Sequence, residues 1–245
     1  MNGDFLQTIE TIPPARGFSY FGGLHLAWLA AFVLITVVCS LWYRRMNPGN
    51  RKVWKWTIAG LLLADELFKF FVLLAGGNLS WFYLPLHMCS INIFLISWHA
   101  VRPNRHLGCF LYAVCIPGAL IALLFPAWNL LPITSAMHIH SFTSHILLAL
   151  YPIVLTAAGE IRPTLRQLPV SVGILLILAG IVYFINRLLG TNFMFLMYAE
   201  VGSPLAWFAY NWGSHLWGFP VIAAGVWLIM YLPLELRKKS KKFNW

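Results

Sequence analysis

The chain has 245 residues, of which 60% are hydrophobic and only 10% charged, and its mean hydropathy is +0.74. No water-soluble domain of this size hides that much apolar surface, so a bilayer must be the solvent. The formal net charge of +10 does not imply nucleic acid, because the basic residues fall in short clusters between apolar runs and form no single basic face.

The opening segment, 1–22, holds Asp4, Glu10 and the Pro13-Pro14 pair and has no basic stretch ahead of an apolar one, so the first span is expected to insert uncleaved with this segment outside. A spanning helix needs about 20 mainly apolar residues, and seven stretches qualify: 23–43, 53–75, 83–101, 106–125, 138–158, 168–188 and 214–234. The pattern predicts an all-α membrane protein, a seven-helix transmembrane bundle over 23–234, with its N-terminus outside and its C-terminus cytoplasmic. Charge tests the count. Of the 17 basic residues, only Arg16 and Arg187 fall outside and Lys69 within a span; the rest sit in the loops after spans one, three and five and in a basic tail, 235–245. A missed or invented helix would reverse the sidedness of every later loop. The long connection 189–213, with Gly190, Asn192, Gly202 and Pro204, reads as an outer cap or re-entrant loop. Cys39, Cys89, Cys109 and Cys115 all lie in apolar runs, which suits neither a disulfide framework nor a four-thiolate metal site.

Once sidedness is set, helical rise gives each polar residue a depth. Lys69 lies about 9 Å below the outer boundary and Asp65 about 15 Å, with Glu66 beside it; Cys89 lies about 9 Å deep and His145 about 10 Å. His87 and Asn92 share that outer zone, as do His138, His140, Arg187 and His215. Ionisable groups from several helices at one depth point to a water-accessible cavity opening outward. Taken singly, each of these histidines reads equally well as a packing hydrogen bond between helices. Asp65 and Lys69 are spaced to neutralise each other, which leaves Glu66 without a local partner. Pro85 suits an early position in the third helix, bringing Cys89 near the positive end of a helix dipole. His138, Ser141 and His145 share one helical face while His140 points elsewhere, so a Cys89–His145 pair across the third and fifth spans is geometrically open. His138 and His145 with Asp65 or His215 would resemble a zinc set, but the spacing matches no metal motif, and neither metal nor cofactor is expected.

Leu84-Pro85-Leu86-His87-Met88-Cys89, Ser144-His145 and the run Gly190-Thr191-Asn192-Phe193-Met194-Phe195-Leu196 resemble YwaF-type bacterial integral membrane proteins over nearly the whole chain. Those are similar in turn to the transmembrane protein 164 type, which are cysteine-dependent lysophospholipid acyltransferases, and more distantly to membrane hydrolases that use a threonine with a histidine. The resemblance implies that Cys89 is the nucleophile and His145 its base. Acyl transfer or acyl hydrolysis at the outer leaflet of the cell membrane is therefore expected, with a phospholipid or lysophospholipid as substrate. In that expectation Asn92 or Asn192 supports the oxyanion, with His87 and His138 nearby, while Lys69, Arg187, Asp65, Glu66 and His215 serve the headgroup or ion pairs. Two other readings stay open: a proton-coupled transporter or small-ligand binding protein using the same polar residues, and a non-catalytic receptor whose aromatic outer loop binds a partner. Oligomeric state is not readable from the chain.

Overall fold

The computed structural model describes residues 4–13, 16–200 and 203–243, with side chains as far as 236. The basic residues expected in the tail, from Arg237 onward, lie outside the described side chains. Regular structure among the described residues is entirely helical. Five helices are long and apolar enough to cross a bilayer: Gly23–Arg45, Arg105–Leu124, Ala136–Ala157, Leu165–Leu189 and His215–Leu236. The chain is a multi-pass membrane protein. Two of the seven expected stretches fall short of that standard for different reasons. The second helix has the length, at 28 residues, but carries Asp65, Glu66 and Lys69; the third has only 14 residues.

The chain divides into two compact units, Met1–Arg162 and Pro163–Trp245. In the first, α1 (Gly23–Arg45), α2 (Pro48–Ala75) and α3 (Met88–Val101) precede a broken helix made of α4 (Arg105–Phe110), a π-helical turn (Leu111–Cys115) and α5 (Ile116–Leu124). The π turn lies just before Pro117, which has no N–H to give to the carbonyl one turn back, so the ladder widens there. Local signals set the starts. Asn47 accepts from Asn50 N at 2.8 Å with Pro48 in the first helical position, and Asn104 accepts from Leu107 N at 2.8 Å.

The central element is α6 (Ala136–Ala157), against which α1, α2, α3 and α5 all pack. Its apolar window is 67% buried, against 6% for α1. The inner stripe of α2 runs Trp54, Ile58, Leu62, Glu66, Lys69, Leu73. Helical periodicity therefore turns two of its charges toward the neighbouring helices.

The third helix starts later than its sequence suggests. Pro85 forces the residue before it out of the helical region, and Leu84 accordingly sits at φ −57°, ψ 148°. A short 3-10 turn at Trp81–Tyr83 comes first, His87 becomes the N-cap, and α3 begins at Met88. Pro85 is thus outside the helix, and Cys89 falls in its first turn.

In the second unit α7 (Leu168–Leu189) ends on Gly190 in the left-handed conformation, φ 66°, and leads to α8 (Pro204–Trp212) and α9 (Gly218–Phe243). The segment 189–213 thus holds a short helix, capped by Ser203, whose side chain accepts from Ala206 N.

At the opposite end of the first unit from Cys89, Glu160 accepts from Tyr43 Oη at 2.8 Å and from Lys55 Nζ at 3.0 Å, and pairs with Arg51 at 3.4 Å. It ties α1 and α2 to the end of α6. Partial burial alone would raise its pKa, but the hydrogen bonds from Lys55 and Tyr43 and the charges of Lys55 and Arg51 outweigh that and hold it below the usual carboxylate value. A lowered folded pKa means the stabilisation is present above the unfolded value, about 4.3, and is lost as pH falls through the folded one. Glu160→Gln is expected to destabilise the detergent-solubilised protein by about 1–2 kcal/mol at pH 7, allowing for partial exposure. The gap to wild type should begin to narrow below about pH 4; thermal unfolding at pH 7 and pH 3.5 checks this, and an equal gap at both would refute it.

Candidate functional site

Cys89 and His145 meet. Cys89 follows the N-cap of α3 by two residues, and His145 lies near the middle of α6, where the two helices pack. The distance from His145 Nε2 to Cys89 Sγ is 3.1 Å. The other ring nitrogen, Nδ1, lies 2.7 Å from the carbonyl oxygen of Ser141, one turn earlier on the same helix. A carbonyl only accepts, so a neutral His145 carries its proton on Nδ1 and presents the Nε2 lone pair to the thiol. The thiol therefore donates to the imidazole, as a nucleophile does to its general base. Trp128 stacks on a face of this imidazole, with centroids 5.0 Å apart and planes inclined at 24°.

Near the pair are the charged groups of α2, but not in the expected partnership. Lys69 bonds Glu66, and both are buried, while Asp65 Oδ2 lies 2.8 Å from His140 Nδ1 on α6. An Asp65–Lys69 pair is not formed. Spacing alone allowed Lys69 to reach either acid, but only Glu66 shares its buried stripe, and His140 supplies Asp65 from the facing helix. Asn92, one turn after Cys89, is buried, and its Oδ1 has no hydrogen-bond partner among the described residues. His87, the N-cap of α3, comes within electrostatic range of both Lys69 and His145.

Three other histidines have structural partners at both or one of their nitrogens. His138 accepts from Trp28 Nε1 at 3.1 Å and donates from Nδ1 to Leu131 O at 2.9 Å. His25 accepts from Phe21 N and donates to Leu123 O, and His99 meets Tyr151 Oη at 2.9 Å. His138 does share the face of His145, as its spacing implies, yet it is satisfied one level above the thiol by α1 and the 126–131 turn.

In the second unit, Arg187 is exposed on α7. Asn192 donates to Tyr198 O at 3.0 Å and accepts from Met197 N at 3.0 Å, while His215 Nε2 meets Phe195 O at 3.0 Å. Asn186 brackets the same turn: Oδ1 accepts from Phe193 N and Thr191 Oγ1, and Nδ2 donates to Phe193 O. The Gly190–Leu196 run is therefore a self-satisfied turn in which Met194 and Phe195 hold positive φ, 59° and 55°. Among the described residues no group of three or more His, Cys, Asp or Glu side chains is arranged to hold a metal ion.

Residues 20–231 match the family model described as the TMEM164 family. No curated protein and no solved structure gives a significant match.

The geometry makes a prediction about thiol reactivity. His145→Asn should slow alkylation of Cys89 by iodoacetamide about tenfold or more, because the base that draws off the thiol proton is gone. The rate at half-buried Cys39 should be unchanged. Peptide-resolved mass spectrometry reads both rates; equal Cys89 rates in variant and wild type would mean the contact does not activate the thiol.

Proposed function

The chain belongs to the TMEM164 family, and from that premise we propose that it transfers or hydrolyses lipid acyl groups through a thioester at Cys89. The observation that carries this reading is the 3.1 Å contact between Cys89 Sγ and His145 Nε2, with the proton of the imidazole held on the opposite nitrogen. In the first half-reaction Sγ attacks the ester carbonyl, the C–S bond forms and the thiol proton passes to Nε2. Ser141 O keeps its hydrogen bond and steadies the imidazolium. Collapse of the tetrahedral oxyanion breaks the C–O bond, and the departing alkoxide takes the proton back from Nε2. A lysophospholipid hydroxyl or a water then gives its proton to Nε2, attacks the thioester and releases the thiol. Placement in the first turn of α3 sets the sulfur beside the positive end of a helix dipole and beside unpaired backbone N–H groups, which favour negative charge as it develops.

The same reading includes seven spans with the N-terminus outside, α2 and α3 crossing despite their charge and shortness, and the reactive pair toward the outer leaflet of the cell membrane. Charge cancellation supports the crossing of α2: Glu66 neutralises Lys69, and His140 supplies Asp65. The transport alternative draws its support from the buried Asp65–His140 contact, an acid–imidazole pair of the kind that passes protons.

Purified protein in mixed micelles, given a phospholipid with a fluorescent acyl chain and a lysophospholipid, decides between these. Cys89→Ala should remove turnover, and His145→Ala should lower it by about 10²–10⁴-fold. A membrane-impermeant maleimide added outside intact cells should block the wild-type activity. Unchanged turnover in Cys89→Ala refutes the mechanism, and protection of Cys89 from the external reagent refutes the orientation.

A further inference from the structure

Beside the reactive pair lies a buried donor that the steps above leave unused. Trp128 sits in the turn between α5 and α6, 7% exposed, stacked on His145 and edge-on to Phe142 at 5.3 Å. Its Nε1 is shut off from solvent and has no hydrogen-bond partner among the described residues. Two other indoles of the first unit are satisfied: Trp28 donates to His138 and Trp56 to Ala100 O. A buried N–H without an acceptor is disfavoured, and beside a thiol–imidazole pair it is free to take an acceptor brought by a ligand.

The turn that carries Trp128 is braced. Phe18 N donates to Asn129 O at 2.8 Å, Leu131 N to Trp128 O at 3.0 Å, and a Cβ on Gly17 would come within 2.0 Å of Asn129 O, so the N-terminal segment presses directly on this backbone. Stacking at 24°, with centroids 5.0 Å apart, holds the indole against the imidazole whose Nε2 meets Sγ.

We propose that Trp128 is a catalytic residue of the oxyanion hole, donating from Nε1 to the carbonyl oxygen of the lipid ester as the C–S bond forms at Cys89. The oxygen gains negative charge in that step and returns to a carbonyl on collapse; the indole proton is shared and never transferred. The backbone N–H of Cys89, in the unpaired first turn of α3, is the natural second donor. This assignment rests on the acyl-transfer reading.

Trp128→Phe keeps an aromatic ring on His145 and deletes the donor. With the fluorescent-acyl phospholipid, kcat is expected to fall about 10²–10³-fold while KM changes little. Alkylation of Cys89 by iodoacetamide, which displaces iodide and creates no oxyanion, should keep its wild-type rate. If Phe at this position prevents folding, benzothienylalanine, which has the shape of Trp and no N–H, gives the same comparison. Full turnover in either variant overturns the assignment, as does a loss of turnover matched by an equal loss of alkylation, which marks a packing role. Absence of turnover and of acylated Cys89 in the wild type would remove the acyl-transfer reading and this assignment with it; wild-type turnover with an unimpaired variant removes only the latter.

Discussion

A neutral imidazole has one proton to place, and on α6 the carbonyl of Ser141 fixes it on Nδ1 of His145. That bond runs along the helix, so the ring orientation is set by α6 itself and survives small shifts of its neighbours. Nε2 is left as an acceptor aimed across the helix interface, and Cys89 is what it meets. Trp128 covers a face of the ring. The packing of α1, α2, α3 and α5 around α6 can be understood as the scaffold that holds this one ring between a carbonyl, a thiol and an indole.

The bilayer adds a second constraint, since polar groups within it must find partners inside the protein. Most of the polar side chains of the first unit obey it with fixed assignments: His25 and His138 use both ring nitrogens, and Lys69 is matched by Glu66. Some buried atoms remain unmatched, Thr36 Oγ1 and Thr156 Oγ1 away from the pair and three others near it. Trp128 Nε1 and Asn92 Oδ1, together with Glu66 Oε2, are buried without a hydrogen-bond partner among the described residues. All three belong to elements that border the thiol. The second unit, by contrast, closes on itself through Asn186 and Asn192.

Much of the Cys89–His145 contact was legible in the sequence. Sidedness from the positive residues and a rise of about 1.5 Å per residue put Cys89 and His145 at one depth, and the resemblance selected the same two positions. The membrane class followed from composition. What failed to be read was local and cooperative. Pro85 looked like the first turn of a helix, but its effect on Leu84 delays the helix to Met88. Lys69 can reach either acid by spacing, and only the packing of α2 chooses Glu66. His140 lies off the face shared by His138 and His145, and its partner, Asp65, is on another helix. Trp128 gave no signal at all: an aromatic residue in an outer loop reads as an interfacial anchor, and only the fold turns it inward.

The most direct test of the account is whether an acyl group rests on Cys89 during turnover. Wild-type protein incubated with the acyl-donor phospholipid, quenched in acid and mapped by mass spectrometry should carry one acyl chain on the Cys89 peptide. Neutral hydroxylamine should remove it, and Cys89→Ala should lack it. Turnover that proceeds with no adduct at Cys89, or with the acyl chain on a different residue, would contradict the central claim.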